Sequence, residues 1–351
     1  MQRMNVHICA PAGSCRRYLE GLGVPSAAAF LDRVRFWLRG EFSVTGDPRL
    51  LETDEDDRRG GRRDDDARAE DLMQAFADDA TRAIVALRGG AWLTRVLPRI
   101  DFSLLDRRTT PVAVFGFSEI TSLVNLVACR RFGRGVLDLG PAFIHYGLKR
   151  FDARYAGTDA TPDGAELEAQ TARYFADVCA MLTGVGSSRP LPIRVLEGTV
   201  PPGPRVRFVG GNLAVLAATL ARRDYEEQIF GDAQDGDAGA TARWLVLEDV
   251  NEAPYRIDRL LAHLTLAVVW RRVDGILLGN FHHGAEDLLD AVLSLLPHHL
   301  GADRRLPVVG CDRIGHVWPM SPLPVNFPIR VDLDCSGRGA LTVNWGDFAS
   351  C

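Results

Sequence analysis

Between residue 1 and about residue 145, short apolar runs alternate with amphipathic ones, and no other feature limits the possible folds as tightly. Runs at 5–10, 83–88 and 111–116 read as strands, the last holding Val112, Ala113, Val114 and Phe115. Stretches at 26–39, 69–80 and 119–131 read as helices. Strands and helices in alternation imply a mostly parallel sheet flanked by helices on both faces. One segment interrupts the pattern: "ETDEDDRRGGRRDDDARAED" at 52–71. Mixed charge at that density, around a Gly-Gly pair, predicts a solvated, mobile loop.

At 351 residues the chain exceeds what one hydrophobic core usually serves, so two domains are expected. Residues 1–145 form an N-terminal α/β domain and 206–351 a second α/β domain whose end, from Leu306 onward, is proline-punctuated and β-rich. Between them, 146–205 reads as a linker: one helical stretch at 164–183, then "GVGSSRPLPIRVLEGTVPPGPR", dense in Pro, Gly and Ser. In the second domain "RVRFVGGNLAVLAATLARR" reads as strand, turn and helix, "RWLVLED" and "GILLGNF" as strands, and "APYRIDRLLAHLTLAVV" and "AEDLLDAVLSLLPHH" as helices.

Composition removes several classes of function. A formal charge of −5 offers no basic field for nucleic acid, and no run approaches the roughly 18 apolar residues that span a bilayer. Nearly every basic residue is arginine; Lys149 is the only lysine. The start "MQRMNVHICAPAGSCRR" reads as a first strand and not a signal peptide. Seven scattered cysteines with no C-x-x-C suggest reduced thiols in a cytoplasm, without disulfide framework or zinc site. "NFHHGAED" brings His282, His283 and Glu286 together at a spacing that matches no metal motif.

In "PVAVFGFSEITSLVNL" (111–126) Ser118 falls on the bend between strand and helix. A nucleophile on such a bend stands clear of its neighbours, with helix-start amides near enough to hold an oxyanion. The G-x-S-x-G pattern is incomplete, because Ile120 holds its second glycine position. On this motif alone Ser118 reads first as a helix N-cap. A catalytic hydroxyl needs a base and the base an acid. Glu248, at the end of "WLVLED", and His316, in "GCDRIGHVWP", are candidates; each alone also reads as a cap, ion-pair partner or surface group.

Taken in order, "RAEDLMQAFADDATRAIVALRGG" (68–90), "GFSEITSL" (116–123), "GGNLAVLAATL" (210–220), "LVLEDVNEAPYRIDRLLAHL" (245–264), "GILLGNF" (275–281) and "IGH" (314–316) resemble the LD-carboxypeptidases. These serine peptidases include muramoyltetrapeptide carboxypeptidase and the microcin C immunity peptidases. The resemblance implies a Ser-Glu-His triad at Ser118, Glu248 and His316. It also implies an oxyanion hole from the backbone N–H groups of Glu119 and Gly90. The active site would lie where two domains meet. Arg88, Gly89 and Trp92, bordering the "RGG" turn, become candidate substrate contacts, Arg88 as a bidentate partner for a terminal carboxylate. Asn212 reads as a cap with a packing role. Asp249, Glu252, Arg256 and Arg259 read as an ion-pair network.

The chain departs from the family at four places. Glu119 stands where aspartate is usual, Ala91-Trp92 where tyrosine follows the turn, Leu139 where histidine precedes Gly-Pro, and Asn326 where glycine ends "LPxG". The expected activity is cleavage of a terminal D-amino acid from murein tetrapeptides in a cytoplasm, with no cofactor and no metal. The substrate is then a small peptide, and a homodimer is possible by resemblance. The alternatives are an immunity hydrolase acting on peptidyl or aminoacyl nucleotides and a non-catalytic binding protein. The immunity enzymes stack an aromatic residue of the linker loop on the nucleobase, whereas 183–205 holds no aromatic residue.

Overall fold

The computed structural model describes residues 3–39, 41–53, 62–160, 162–185, 190–201, 203, 205–231, 241–301 and 304–350. The chain divides into two compact units, Met1–Ser187 with Trp345–Cys351, and Ser188–Asn344.

In the first unit β1 (Asn5–Cys9), β2 (Ser43–Thr45), β3 (Thr81–Ala86), β4 (Val112–Gly116) and β5 (Gly133–Leu137) run in the order β5-β4-β3-β1-β2. Every pairing among them is parallel. β1 and β4 are buried along their whole length, as a sheet covered on both faces requires. Its helices are α1 (Arg16–Gly21), α2 (Ala27–Trp37), α3 (Pro48–Glu52), α4 (Arg62–Ala77), α5 (Leu93–Val96), α6 (Thr121–Ala128), α7 (Ile144–Phe151) and α8 (Gly164–Thr183). Ser26 Oγ accepts from Ala29 N at the start of α2, and Asp163 accepts from Glu166 N at the start of α8. Phe175 of α8 lies 6.3 Å from Phe30 and 6.4 Å from Trp37, tying the two helices together.

Part of the charged run differs from the expected solvated loop. Residues 54–61 lie outside the described residues, but α4 begins at Arg62, and Asp65 and Arg68 are each only 1% exposed. Arg95 donates to Asp65 at 2.7 Å; Arg68 donates to Asp64 at 2.8 Å and to the Ala10 carbonyl. Pairing is what makes burial tolerable, and charge density by itself does not reveal which residues will find partners.

Residues 146–205 hold three regular elements where a linker was expected: α7, α8 and β6 (Leu191–Glu197). The division between units falls inside this stretch, so α7 and α8 belong to the first unit and β6 to the second. Leu191 and Ile193 alternate inward along "LPIRVLE", a strand signal masked by flanking proline and glycine.

The second unit adds β7 (Arg205–Asn212), β8 (Ala242–Val250), β9 (Gly275–His283), β10 (Glu286–Asp287), β11 (Val308–Gly310), β12 (Leu323–Val325), β13 (Pro328–Leu333) and β14 (Arg338–Thr342). Pairing runs β10-β9-β11-β6-β14-β13-β7-β8, and β8 pairs again with β9. The sheet therefore closes into a barrel, parallel along β7-β8-β9-β11 and antiparallel along β11-β6-β14-β13-β7. Closure leaves those strands no free edge. Its helices are α9 (Leu213–Leu220), α10 (Arg223–Phe230), α11 (Pro254–Leu266) and α12 (Leu289–Leu300), with α11 packed on α9 and α12. The last element, α13 (Trp345–Ser350), returns to the first unit and packs on α8. Both units are thus mixed α/β, as the strand–helix pattern implied. Among the described residues no helix is long and apolar enough to cross a membrane.

Candidate active site

Ser118 sits where β4 gives way to α6. Phe117 is extended (φ −147, ψ 176), and Ser118 enters the left-handed region at φ 58 as the first residue of a single 3-10 turn, Ser118–Ile120. The cap position falls on Phe117, so Ser118 is not the N-cap that its motif alone suggested. A positive φ on a residue with a Cβ costs roughly 1–3 kcal/mol and persists where the surroundings enforce it. Gly116 permits the bend: a Cβ there would lie 2.4 Å from Ile120 Cγ2. Val112 to Gly116 is buried throughout, so the bend stands on a rigid strand.

The "RGG" turn after β3 abuts this bend. A Cβ on Gly89 would lie 2.8 Å from Ser118 Cβ and 3.2 Å from its Oγ. Gly90 is left-handed at φ 129. Arg88 is half-buried and donates to the Ser14 carbonyl at 3.0 Å, which ties the turn to the loop after β1. Trp92 is also left-handed (φ 78) and opens α5, with the Arg95 guanidinium 5.2 Å from its ring centroid. Glu119 Oε1 accepts from Leu93 N at 3.1 Å. The residue after the candidate nucleophile therefore braces the turn, a contact that its motif position does not announce. Ser118, Glu119, Arg88, Gly89, Gly90 and Trp92 all belong to the first unit.

Glu248 and His316 belong to the second. Glu248 ends the apolar stretch of β8 and is fully buried. Its register partner on β7 is Asn212, whose Nδ2 donates to Glu248 Oε1 at 3.0 Å. His316 Nδ1 lies 2.8 Å from Glu248 Oε2. Both carboxylate oxygens are thereby engaged, as a polar group buried at a strand end requires. The register of β8 on β9 shifts between Leu247 and Asp249, next to Glu248: Leu247 faces Leu278 while Asp249 faces Phe281. Such a bulge re-aims side chains at a strand end.

The loop bearing His316 is pressed onto that bulge. Asn280 N donates to the Ile314 carbonyl at 2.8 Å, and Gly315 is left-handed at φ 119. A Cβ on Gly315 would lie 2.9 Å from Asn280 Cβ, so glycine is what allows "IGH" to seat here. Burial alone would push the His316 imidazole down. The charge of Glu248, its hydrogen bond and the charge of Asp249 outweigh burial, and the net shift is upward. Asp249 is pushed up to about 7 by burial and by the neighbouring Glu248 charge, against hydrogen bonds from Ala214 N and Val250 N.

Asn212 is the N-cap of α9, accepting from Val215 N at 3.1 Å, as its sequence position suggested. Its bond to Glu248 was not legible, because it depends on the β7–β8 register. Asn326, in the family's glycine place, is left-handed at φ 52, and asparagine is the non-glycine residue that best tolerates this conformation. Glu252 and Arg256 pair at 3.6 Å, and Arg256 and Arg259 flank the Tyr255 ring. Among the described residues no group of three or more His, Cys, Asp or Glu side chains could hold a metal ion, and the cysteines are free thiols.

The first unit thus carries a left-handed serine at the end of a parallel strand, and the second a strand barrel with a carboxylate–imidazole pair, both units being mixed α/β. The description "LD-carboxypeptidase N-terminal domain" matches residues 6–133 and "LD-carboxypeptidase C-terminal domain" matches residues 205–331. The chain belongs to the LD-carboxypeptidase family. It is 30% identical over 277 residues to a putative carboxypeptidase of Streptomyces coelicolor, covering 79% of this chain and 76% of the relative. It is 27% identical over 266 residues to a probable murein peptide carboxypeptidase of Bacillus subtilis, covering 74% and 72%. Among solved structures, MccF in complex with glutamyl sulfamoyl guanosine superposes with a TM-score of 0.62 at 13% identity, over 98% of this chain and 97% of that one. At that identity the likeness concerns the fold alone.

Proposed function

We propose that this chain is a serine LD-carboxypeptidase that releases a terminal D-amino acid from murein tetrapeptides. The observation that carries the proposal is the His316–Glu248 pair, an imidazole held at 2.8 Å by a fully buried carboxylate. Nδ1 is engaged by the carboxylate, and in this reading Nε2 of His316 takes the proton. Ser118 Oγ attacks the amide carbonyl as His316 takes its proton, and Glu248 stabilises the imidazolium that forms. The backbone N–H groups of Glu119 and Gly90 hold the oxyanion, each contributing roughly 3 kcal/mol in the transition state. His316 then protonates the departing amine, and water repeats the cycle on the acyl-enzyme. The reaction requires the first unit's hydroxyl to reach the second unit's imidazole. Arg88 and Trp92, bordering the turn that touches Ser118, are the substrate contacts of this reading.

The test is to incubate the protein separately with a muropeptide tetrapeptide and with an aminoacyl-nucleotide analogue and follow products by mass spectrometry. Release of the terminal D-amino acid supports the proposal. Nucleotide release with intact tetrapeptide replaces it with the immunity-type reaction, and turnover of neither leaves a binding protein.

A further inference from the structure

Asp249 follows Glu248 directly and is 3% exposed, yet nothing in the proposed chemistry uses it. Its two oxygens are committed to different elements. Oδ2 accepts from Ala214 N, in the first turn of α9, at 2.9 Å; Oδ1 accepts from Val250 N at 2.7 Å. The same first turn is capped by Asn212, whose other side-chain atom holds Glu248 Oε1. One short helix start is therefore gripped from two sides, and one of those grips also holds the candidate triad acid.

We infer that Asp249 is a positioning residue for the Glu248–His316 pair. It fixes the start of α9, and so the Asn212 amide that orients the Glu248 carboxylate. The inference rests on the reading of Glu248 and His316 as acid and base. Titratable groups that act on or are acted on by Asp249 are Glu248 on its own strand, Glu252 in the turn that follows and His316 from the loop, while its partner on β9 is the apolar Phe281. The geometry accounts for the two adjacent acids: one orients the imidazole, and the other locks the scaffold that orients the first. The charge of Asp249 adds to the upward shift of His316, in line with this arrangement.

The experiment compares wild type, Asp249→Asn, Asn212→Ala and the double variant on a muropeptide tetrapeptide, with Glu248→Gln as control. The asparagine keeps one acceptor and loses the charge. Expected for Asp249→Asn is a kcat loss of about tenfold with KM within about twofold, because a positioning defect acts on the transition state. Asn212→Ala is expected to lose kcat by a similar factor, and the double variant less than the product of the two, since both act through one carboxylate. Histidine-selective NMR, which needs no turnover, is expected to place the His316 midpoint lower in Asp249→Asn by ~0.5 unit or more. An unmoved midpoint and unchanged kcat in Asp249→Asn, with Glu248→Gln inactive, would overturn the inference alone. Full activity in Glu248→Gln would instead overturn the acid–base reading beneath it. A fall in thermal stability with no change in midpoint or kcat would reduce Asp249 to a structural cap.

Discussion

His316 Nδ1 and Glu248 Oε2 stand 2.8 Å apart, with the carboxylate fully buried and its other oxygen held by Asn212. The arrangement fixes both the imidazole tautomer and its basicity. Because the net shift of His316 is upward, hydrolysis is expected to rise with pH through a midpoint above the ordinary histidine value of about 6.5. Glu248→Gln should move that midpoint down and lower kcat by about a hundredfold to ten-thousandfold. A profile flat between about pH 5 and 8 would remove His316 from the role of base.

Replacing Ser118 by alanine is expected to abolish turnover, by at least about a thousandfold, while circular dichroism and the denaturant midpoint stay near wild type. The substitution removes a hydroxyl from a half-buried bend and leaves the backbone as it is. Retained activity would reject this residue as nucleophile.

Gly89→Ala and Gly116→Ala probe the bend from opposite sides. A methyl group at 89 would stand 2.8 Å from Ser118 Cβ, and one at 116 would stand 2.4 Å from Ile120 Cγ2. The first crowds the candidate nucleophile and the Phe117 carbonyl, 3.0 Å away, so kcat/KM should fall by about tenfold or more alongside any loss of stability. The second overpacks a buried strand end, so unfolding free energy should fall by about 1–3 kcal/mol. Urea titrations and steady-state kinetics on the two variants separate these outcomes.

Asp249 also gives stability a pH dependence. Its pKa is raised from 3.8 to about 7 in the folded protein, so the folded state keeps a proton that the unfolded chain releases between those values. This group's contribution is therefore fully present below about pH 4 and lost as pH rises through about 7. His316, also raised, adds a contribution that is full below its unfolded value of about 6.5 and is lost through its folded one. Asp249→Asn should flatten the decline between about pH 4 and 7, measurable as urea midpoints across that window. An unchanged slope would contradict the raised pKa.

Much of the first unit was legible because a buried parallel strand is written as a local apolar run. The reading 5–10 corresponds to β1 at Asn5–Cys9, and 111–116 to β4 at Val112–Gly116. Ser118 could be placed on a bend, but its left-handed backbone could not, since that depends on Ile120 folding back over Gly116. The barrel was illegible for another reason. Its closure rests on β8 pairing with β9 after a register shift, and on β6, whose run "LPIRVLE" sits among prolines and glycines that imitate a linker. Asp65 and Arg68 were read as solvated because a dense charge run names no partner; Arg95 and the Ala10 carbonyl supply them.

The chain leaves the first unit near residue 187 and comes back to it at Trp345, so the second unit is spliced into its neighbour's polypeptide. Trp345 and Phe348, 7% and 3% exposed, plug the outside of α8. Deleting Trp345–Ser350 should therefore be felt in the unit that bears Ser118, even though the nearest deleted position lies more than two hundred residues along the sequence.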